Sequence, residues 1–224
     1  VIVAIDGPAG AGKSTVARAL ARRLGAAYLD TGAMYRALAW LARREGVAAS
    51  DGPALAALAR ANPVALRPDG DVLRVAIAGA DVTDAIRAPE VGALTSEVSA
   101  HPAVREAVVA AQRALLAGGG SWVCDGRDVG SVVWPGAEVK VFLTAAPEVR
   151  ARRRAGDLAA RGTPVAVDAV LAELRERDHR DSTRADSPLV VADGAVELDT
   201  TGMSFDEVVD ALAGLAARSG AGAR

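Results

Sequence analysis

The feature that most constrains this chain is an alternation of short apolar runs with longer stretches of helical periodicity. "VIVAI" (1–5), "AAYL" (26–29), "SWVC" (121–124), "VKVFL" (139–143) and "AVEL" (195–198) are the length of buried strands. Helical segments follow them. "STVARALARRLG" stops at Gly25, a residue suited to the left-handed turn that ends a helix. "PEVRARRRAGDLAARG" opens on Pro147, which a first helical turn tolerates. "SFDEVVDALAGLAAR" offers Ser204 and Glu207 as a capping box. Strands alternating with helices predict an α/β fold, a five-stranded parallel sheet with helices on both faces.

One segment has a different period. In "PVALRPDGDVLRVAIAGADVTD" (63–84) apolar and polar residues alternate around "PDGD". Val64 and Leu66, then Leu73, Val75 and Ile77, are placed to share a face of an antiparallel hairpin, an inserted small β-subdomain. "AGGGS" (117–121) reads as a turn and "SGAGAR" (219–224) as an unstructured tail. No internal repeat occurs.

Composition excludes several classes. At 224 residues and 51% hydrophobic content the chain can bury a sizeable core. A net charge of −2 gives no general attraction to nucleic acid. Two lysines stand against 24 arginines, a bias that forbids reading every arginine as functional. Cys124 has no partner for an internal disulfide and reads as apolar filler in a strand, which fits a reducing compartment. No run reaches the ~18 apolar residues of a membrane span, and the opening strand lacks the basic flank of a signal peptide. A soluble, cytoplasmic protein without membrane or nucleic-acid partners is expected.

"GPAGAGKST", Gly7, Pro8, Ala9, Gly10, Ala11, Gly12, Lys13, Ser14 and Thr15, matches G-x-x-x-x-G-K-[ST] between a strand and a helix. Glycines let consecutive N–H groups turn toward a polyphosphate, and the helix N-terminus adds partial positive charge. Lys13 would reach the β- and γ-phosphates of a nucleoside triphosphate and Ser14 would ligate Mg²⁺. "LDTGAMYR" sets Thr31 and Arg36 beyond the second strand, and "CDGRDVGS" sets Asp125, Arg127 and Asp128 beyond the third. Ligands of open α/β sheets gather at that edge.

A third stretch, "RERDHRDSTRAD" (175–186), packs arginines and acids together. Val167, Val170, Leu171 and Leu174 precede it at helical spacing, and the same stripe extended by whole turns reaches Arg177, Asp178, Asp181 and Arg184. A stripe apolar at one end and charged at the other predicts a cleft at the second end. "DTTG" (199–202) matches the D-x-x-G of nucleotide switches, but no N-K-x-D guanine signature occurs.

The order "IDGPAGAGKST … LDTGAMYR … TSEVSAHPAVR … DGRDVGS … RERDHRDSTRADSPL" closely resembles bacterial cytidylate kinases, from Val1 to about Leu198. The resemblance implies a P-loop kinase fold in one domain, with a core at 1–62, 87–149 and 175–218. It also implies that the β insertion, about 63–86, belongs to the region that binds the nucleoside monophosphate. An α-helical lid follows at about 150–174, with "ARRRAGDLAARG" (151–162) closing over ATP. It implies ATP-dependent phosphorylation of CMP and dCMP with Mg²⁺, by a monomer; kinases of other small acceptors, such as UMP or shikimate, are the alternative. Among site residues it implies Arg36 and Arg127 on the CMP phosphate, with Thr31 beside them. Ser96, Arg105 and Arg184 are implied for cytosine, Arg177 and Asp181 for the sugar, and Asp128 near the base. Arg152, Arg153 and Arg154 are the lid candidates for the triphosphate. Lys13, Arg127 and Arg36 are the expected catalytic cations, and Asp125 is chosen here to position Mg²⁺ through water. Other members carry serine in "LDSG" where this chain has Thr31, which keeps the hydroxyl. His179 is expected to punctuate a charged helix.

Overall fold

In a computed structural model, the structure describes residues 1–69, 72–160 and 162–220. The chain divides into two compact units, residues 1–29 with 120–224 and residues 30–119.

The first unit is built on strands β1 (Ile2–Asp6), β2 (Ala27–Asp30, which runs to the unit boundary), β6 (Trp122–Asp125), β7 (Val139–Thr144) and β8 (Val196–Asp199). They form one sheet in the order β2-β6-β1-β7-β8, the five strands anticipated from the apolar runs. β1 pairs in parallel with β6 (Val3 opposite Val123) and with β7 (Ile5 opposite Val141), and β7 with β8. Every residue of β1 is buried, as a central parallel strand covered on both faces requires. Helices α1 (Lys13–Leu24) and α8 (Phe205–Arg218) pack on this sheet through Val16, Leu20, Val208 and Leu212, in one cluster with Ile5, Val141 and Leu143.

The local signals act as expected. Gly25 closes α1 at φ 60°, and Ser204 and Glu207 cap α8 reciprocally. Helices α6 (Pro147–Ala160) and α7 (Val167–Thr183) pair with each other, burying Ala151, Ala155, Val170 and Leu174 in a second cluster that includes Ala9. A short π-helical turn, Val129–Val133, follows β6.

The second unit holds α2 (Thr31–Glu45), α3 (Gly52–Ala61), α4 (Pro89–Val98), α5 (Pro102–Ala117) and a sheet of β3 (Ala65–Asp69), β4 (Val72–Ile77) and β5 (Ala80–Asp81). β3 and β4 are antiparallel with Leu66 opposite Val75. Val75 and Ile77 are buried against Ala33, Ala37 and Leu41 of α2, with Val64 and Leu66 beside them, so period-two patterning correctly placed that face. The short third strand β5 carries no apolar run and was not legible. The last two residues of "PDGD" and the last four residues of the tail lie outside the described residues. Among the described residues, no helix is long and apolar enough to cross a membrane.

Candidate phosphate-binding and acceptor site

The loop from Gly7 to Gly12 leaves β1 and enters α1. Gly7 sits at φ 147°, where a Cβ would come within 2.0 Å of the Leu143 carbonyl oxygen, so only glycine permits this approach to β7. Gly12 precedes α1 in the left-handed region. Beyond it α1 begins, with the N–H groups of Thr15 and Val16 both donating to the Gly12 carbonyl; the N-terminus of a helix is its usual anion-binding end.

Lys13 is buried, and its ammonium donates to the Pro8 carbonyl at 2.7 Å. Burial pushes its pKa well below the usual lysine value, and the nearby cations Arg127 and Arg177 push the same way against Asp125 and Asp6. A polyanion in the loop would reverse that cost. The Ser14 hydroxyl donates to Asp125 Oδ2 at 2.7 Å, and Tyr28 donates to Asp125 Oδ1 at 2.6 Å. A hydroxyl and an anchored carboxylate side by side are hard oxygen donors of the kind Mg²⁺ takes together with phosphate oxygens and water. Among the described residues no group of three His, Cys, Asp or Glu side chains could hold a metal by itself.

Asp6, at the end of β1, accepts from the N–H groups of Val129 (2.8 Å) and Gly130 (2.7 Å), tying the root of the phosphate loop to the segment after Arg127 and Asp128. Burial raises its pKa to about 6, although both N–H bonds and Lys13 work to lower it, while Asp128 adds to the rise. Arg127 donates through Nε to Asp181 Oδ2 at 2.9 Å, and Arg184 Nη1 lies 3.8 Å from the other Asp181 oxygen. Burial would raise the Asp181 pKa, but Arg127, Arg177 and Arg184 outweigh it and hold the carboxyl below its usual value. Arg184 also donates to the Ser187 carbonyl at 2.6 Å. Asp128 is buried, and its backbone carbonyl accepts from Val132 and Val133. The charged end of the α7 stripe is therefore not a solvated face.

The same stripe serves the phosphate loop. Asp178, one turn after Leu174, accepts from the Ala9 N–H at 3.1 Å and pairs with Arg150 at 2.6 Å. Arg150, in the first turn of α6, was missed. It is buried, although three exposed or half-buried arginines follow it within four positions. The one available signal was its place on the face of Ala151 and Ala155. Of the expected lid arginines, Arg152 is exposed, whereas Arg153 donates to the Thr200 carbonyl (2.8 Å) and hydroxyl (3.1 Å). Cys124 is fully buried and burial raises its pKa, consistent with inert filler.

Four predicted acceptor residues belong to the second unit. Thr31 is the first residue of α2, and Asp30 caps that helix by accepting from the Ala33 N–H. The other Asp30 oxygen holds Arg36 at 2.6 Å. Gly32 leaves room for this pair, since a Cβ there would lie 3.0 Å from Arg36 Nη1. Asp30 was also missed, although it directly precedes Thr31 in "LDTG". Gln112 reaches the Thr31 carbonyl from α5. Ser96 Oγ, on α4, is buried with no hydrogen-bond partner among the described residues. Arg105 is buried over the Tyr35 ring (5.4 Å to its centroid) and donates to the Ser99 carbonyl. A separate apolar cavity of about 220 Å³ between Met34, Leu38, Ile77 and Val108 is lined by none of these residues.

A glycine-rich loop joining a central parallel strand to a helix, with a lysine and a hydroxyl at the helix start, places the molecule among the P-loop nucleotide-binding α/β proteins. The family model described as "Cytidylate kinase" matches residues 3–218. The chain belongs to the cytidylate kinase family. It is 55% identical over 213 residues to a bifunctional pantoate ligase/cytidylate kinase of Parasynechococcus marenigrum (strain WH8102), covering 94% of this chain and 42% of that protein. A cytidylate kinase of Pelotomaculum thermopropionicum is 52% identical over 223 residues, covering 99% of this chain and 97% of that one. A cytidylate kinase of Geobacter sp. (strain M21) is 46% identical over 212 residues, covering 95% and 91%. The chain thus spans less than half of the bifunctional relatives and nearly all of the single-function ones.

Proposed function

We propose that the protein transfers the γ-phosphoryl group of ATP to the phosphate of CMP or dCMP, forming CDP or dCDP and ADP. The observation that carries this reading is the phosphate loop, with buried Lys13 and the Ser14–Asp125 pair, in a chain matched by the family model over residues 3–218. A phosphate oxygen of CMP attacks the γ-phosphorus as the bond from that phosphorus to the β-bridging oxygen breaks, and ADP leaves with the electron pair. The attacking phosphate is already an anion near neutral pH, so alignment and charge neutralisation supply the catalysis rather than a strong base.

Lys13 and the N–H groups of Gly10 to Ser14 hold the triphosphate, with Thr15 beside them. Ser14 would hold Mg²⁺ with the phosphates, and Asp125 would orient its water; the ion draws charge from the phosphate oxygens. Arg36 and Arg127 bind the acceptor phosphate beside Thr31. Asp30 and Asp181 already hold these two guanidinium groups, so little side-chain entropy remains to be lost on binding. Ser96, Arg105, Asp128 and Arg184 read the base, and Arg177 and Asp181 the sugar. Residues 150–174 act as a lid with Arg152 and Arg154 as its mobile cations, the β insertion at 63–86 belongs to the acceptor region, and the remainder is the core. Closure that excludes water prevents ATP hydrolysis. The protein works as a cytoplasmic monomer.

A panel of acceptors (CMP, dCMP, UMP, shikimate) at fixed Mg·ATP tests this reading. CMP and dCMP are expected to support the fastest ADP formation, and preference for another acceptor refutes the assignment.

A further inference from the structure

The backbone of Ala9 is held on both sides of its Cα by two side chains that come from elsewhere in the chain. Its N–H donates to Asp178 Oδ1 at 3.1 Å, and its carbonyl accepts from Arg150 Nη1 at 2.8 Å. The same Nη1 donates to Asp178 Oδ2 at 2.6 Å, which closes the ring, and Arg150 Nε donates to the Ala145 carbonyl just beyond β7. Arg150 is 5% exposed. The pair stands on an apolar base, since Ala9 packs with Ala151, Ala155, Val170 and Leu174. A Cβ at Gly10 would lie 3.2 Å from the Arg150 Cβ and 3.3 Å from Leu174 Cδ1.

A carboxylate beside a loop that binds polyphosphate opposes the ligand's charge. Its presence is understandable only if it is neutralised and does geometric work. Arg150 neutralises it, and the work is to fix the two peptide planes on either side of the Ala9 Cα, Pro8–Ala9 through its N–H and Ala9–Gly10 through its carbonyl. With the N–H and carbonyl of Ala9 both committed, the chain must enter Gly10, Ala11 and Gly12 in one orientation, and the N–H groups of those residues are aimed before the ligand arrives. We propose that Arg150 and Asp178 are positioning residues for the donor: through the Ala9 backbone they preorganise the phosphate loop for the triphosphate. This rests on the donor reading given above. Neither residue needs to touch the nucleotide.

A purely structural ion pair makes a different prediction, because a buried pair replaced whole by apolar side chains leaves no unpaired charge and often restores stability. Asp178→Ala is expected to lower the melting temperature and to weaken binding of a non-hydrolysable Mg·ATP analogue, measured by titration calorimetry, by about tenfold, since it removes a charged hydrogen bond to the loop. Arg150→Met/Asp178→Leu removes the unpaired charge and is expected to recover part of the melting temperature lost in Asp178→Ala, and its analogue affinity to stay about tenfold below wild type because the Ala9 backbone is still unheld. A double variant that regains both stability and affinity overturns the proposal. If that variant fails to fold, Arg150→Lys decides. It keeps the charge beside Asp178 but lacks the fork that spans the Ala145 and Ala9 carbonyls, so about threefold or greater weakening is expected. Wild-type affinity in folded Arg150→Lys then overturns the proposal. Wild-type protein that binds no Mg·ATP analogue at all removes the donor reading and this inference with it.

Discussion

The Ser14 hydroxyl lies 2.7 Å from Asp125 Oδ2, and this hydrogen bond joins the start of α1 to the end of β6. Tyr28 fixes the other carboxylate oxygen, which would keep Asp125 in place if, as proposed, the Ser14 hydroxyl were taken by Mg²⁺. Asp125→Asn is therefore expected to raise the Mg²⁺ concentration for half-maximal rate by about 10- to 100-fold, the usual cost of losing an outer-sphere partner. Tyr28→Phe should raise it less. Initial rates across a Mg²⁺ series at constant ATP check both, and an unshifted Asp125→Asn curve moves the metal role elsewhere.

Lys13 is charged at a cost that its burial imposes and a polyphosphate removes. Lys13→Ala is expected to lower kcat by roughly 10²–10³-fold, in the range of losing one preorganised charge-stabilising group. Its thermal stability should be unchanged or higher. At alkaline pH the wild type should take up protons on binding Mg·ATP, because the ligand raises the lysine pKa. Calorimetry in buffers of different ionisation enthalpy measures this, and proton release would contradict it.

Arg36 and Arg127 serve a phosphate in the proposed scheme, so Arg36→Met and Arg127→Met should impair CMP and dCMP alike. Arg127→Met also removes a hydrogen-bonding cation from Asp181 and should cost about 1–3 kcal/mol of stability. Cytidine lacking its phosphate should be a poor acceptor for the wild type. Equal turnover of cytidine and CMP would show the arginine assignment to be wrong.

Cytosine presents an amino donor at position 4 and an acceptor at N3, and uracil reverses both. Buried polar mismatches cost about 1–3 kcal/mol each, so CMP should exceed UMP in kcat/KM by at least about tenfold. Buried Asp128 and the unpartnered hydroxyl of Ser96 are the groups suited to the amino donor. Asp128→Ala should lower CMP activity more than UMP activity. An unchanged ratio moves the base contact off Asp128.

Two buried carboxylates should bend the pH–stability curve in opposite directions. Asp6 titrates at about 6 when folded, against 3.8 for an ordinary aspartate, so the native state binds the extra proton in between. Its contribution is complete below about pH 4 and is lost as pH rises through about 6. Asp181 is depressed, so its contribution is present above 3.8 and is lost as pH falls through its lower folded value. Urea unfolding across pH should show a slope near pH 4–6 that Asp6→Asn removes. A slope that survives the substitution assigns it to another group.

Much of the fold was legible because its signals are local. Five buried runs, the capping box at Ser204, Gly25 and the phosphate loop each depend on neighbours within a few residues, where backbone sterics and periodicity act. The α7 stripe was legible too: apolar spacing through Leu174 carried forward to Arg177, Asp178, Asp181 and Arg184. What each charge on that stripe touches was not. That Asp181 takes Arg127 while Asp178 takes Ala9 and Arg150 depends on partners 54, 169 and 28 positions away along the chain. Arg150 stood in an arginine-rich run where residue type alone could not single it out. Asp6 lies one residue past the run read as the first strand and nothing local marked it; the loop after β6 brings two N–H groups to it. Sequence by itself determined the elements whose signals are local, the five core strands and their helices among them, and displayed the phosphate-loop motif between β1 and α1. Only the tertiary structure decided which charges neutralise one another, because pairing depends on distance in space and on burial, and neither is encoded in local spacing.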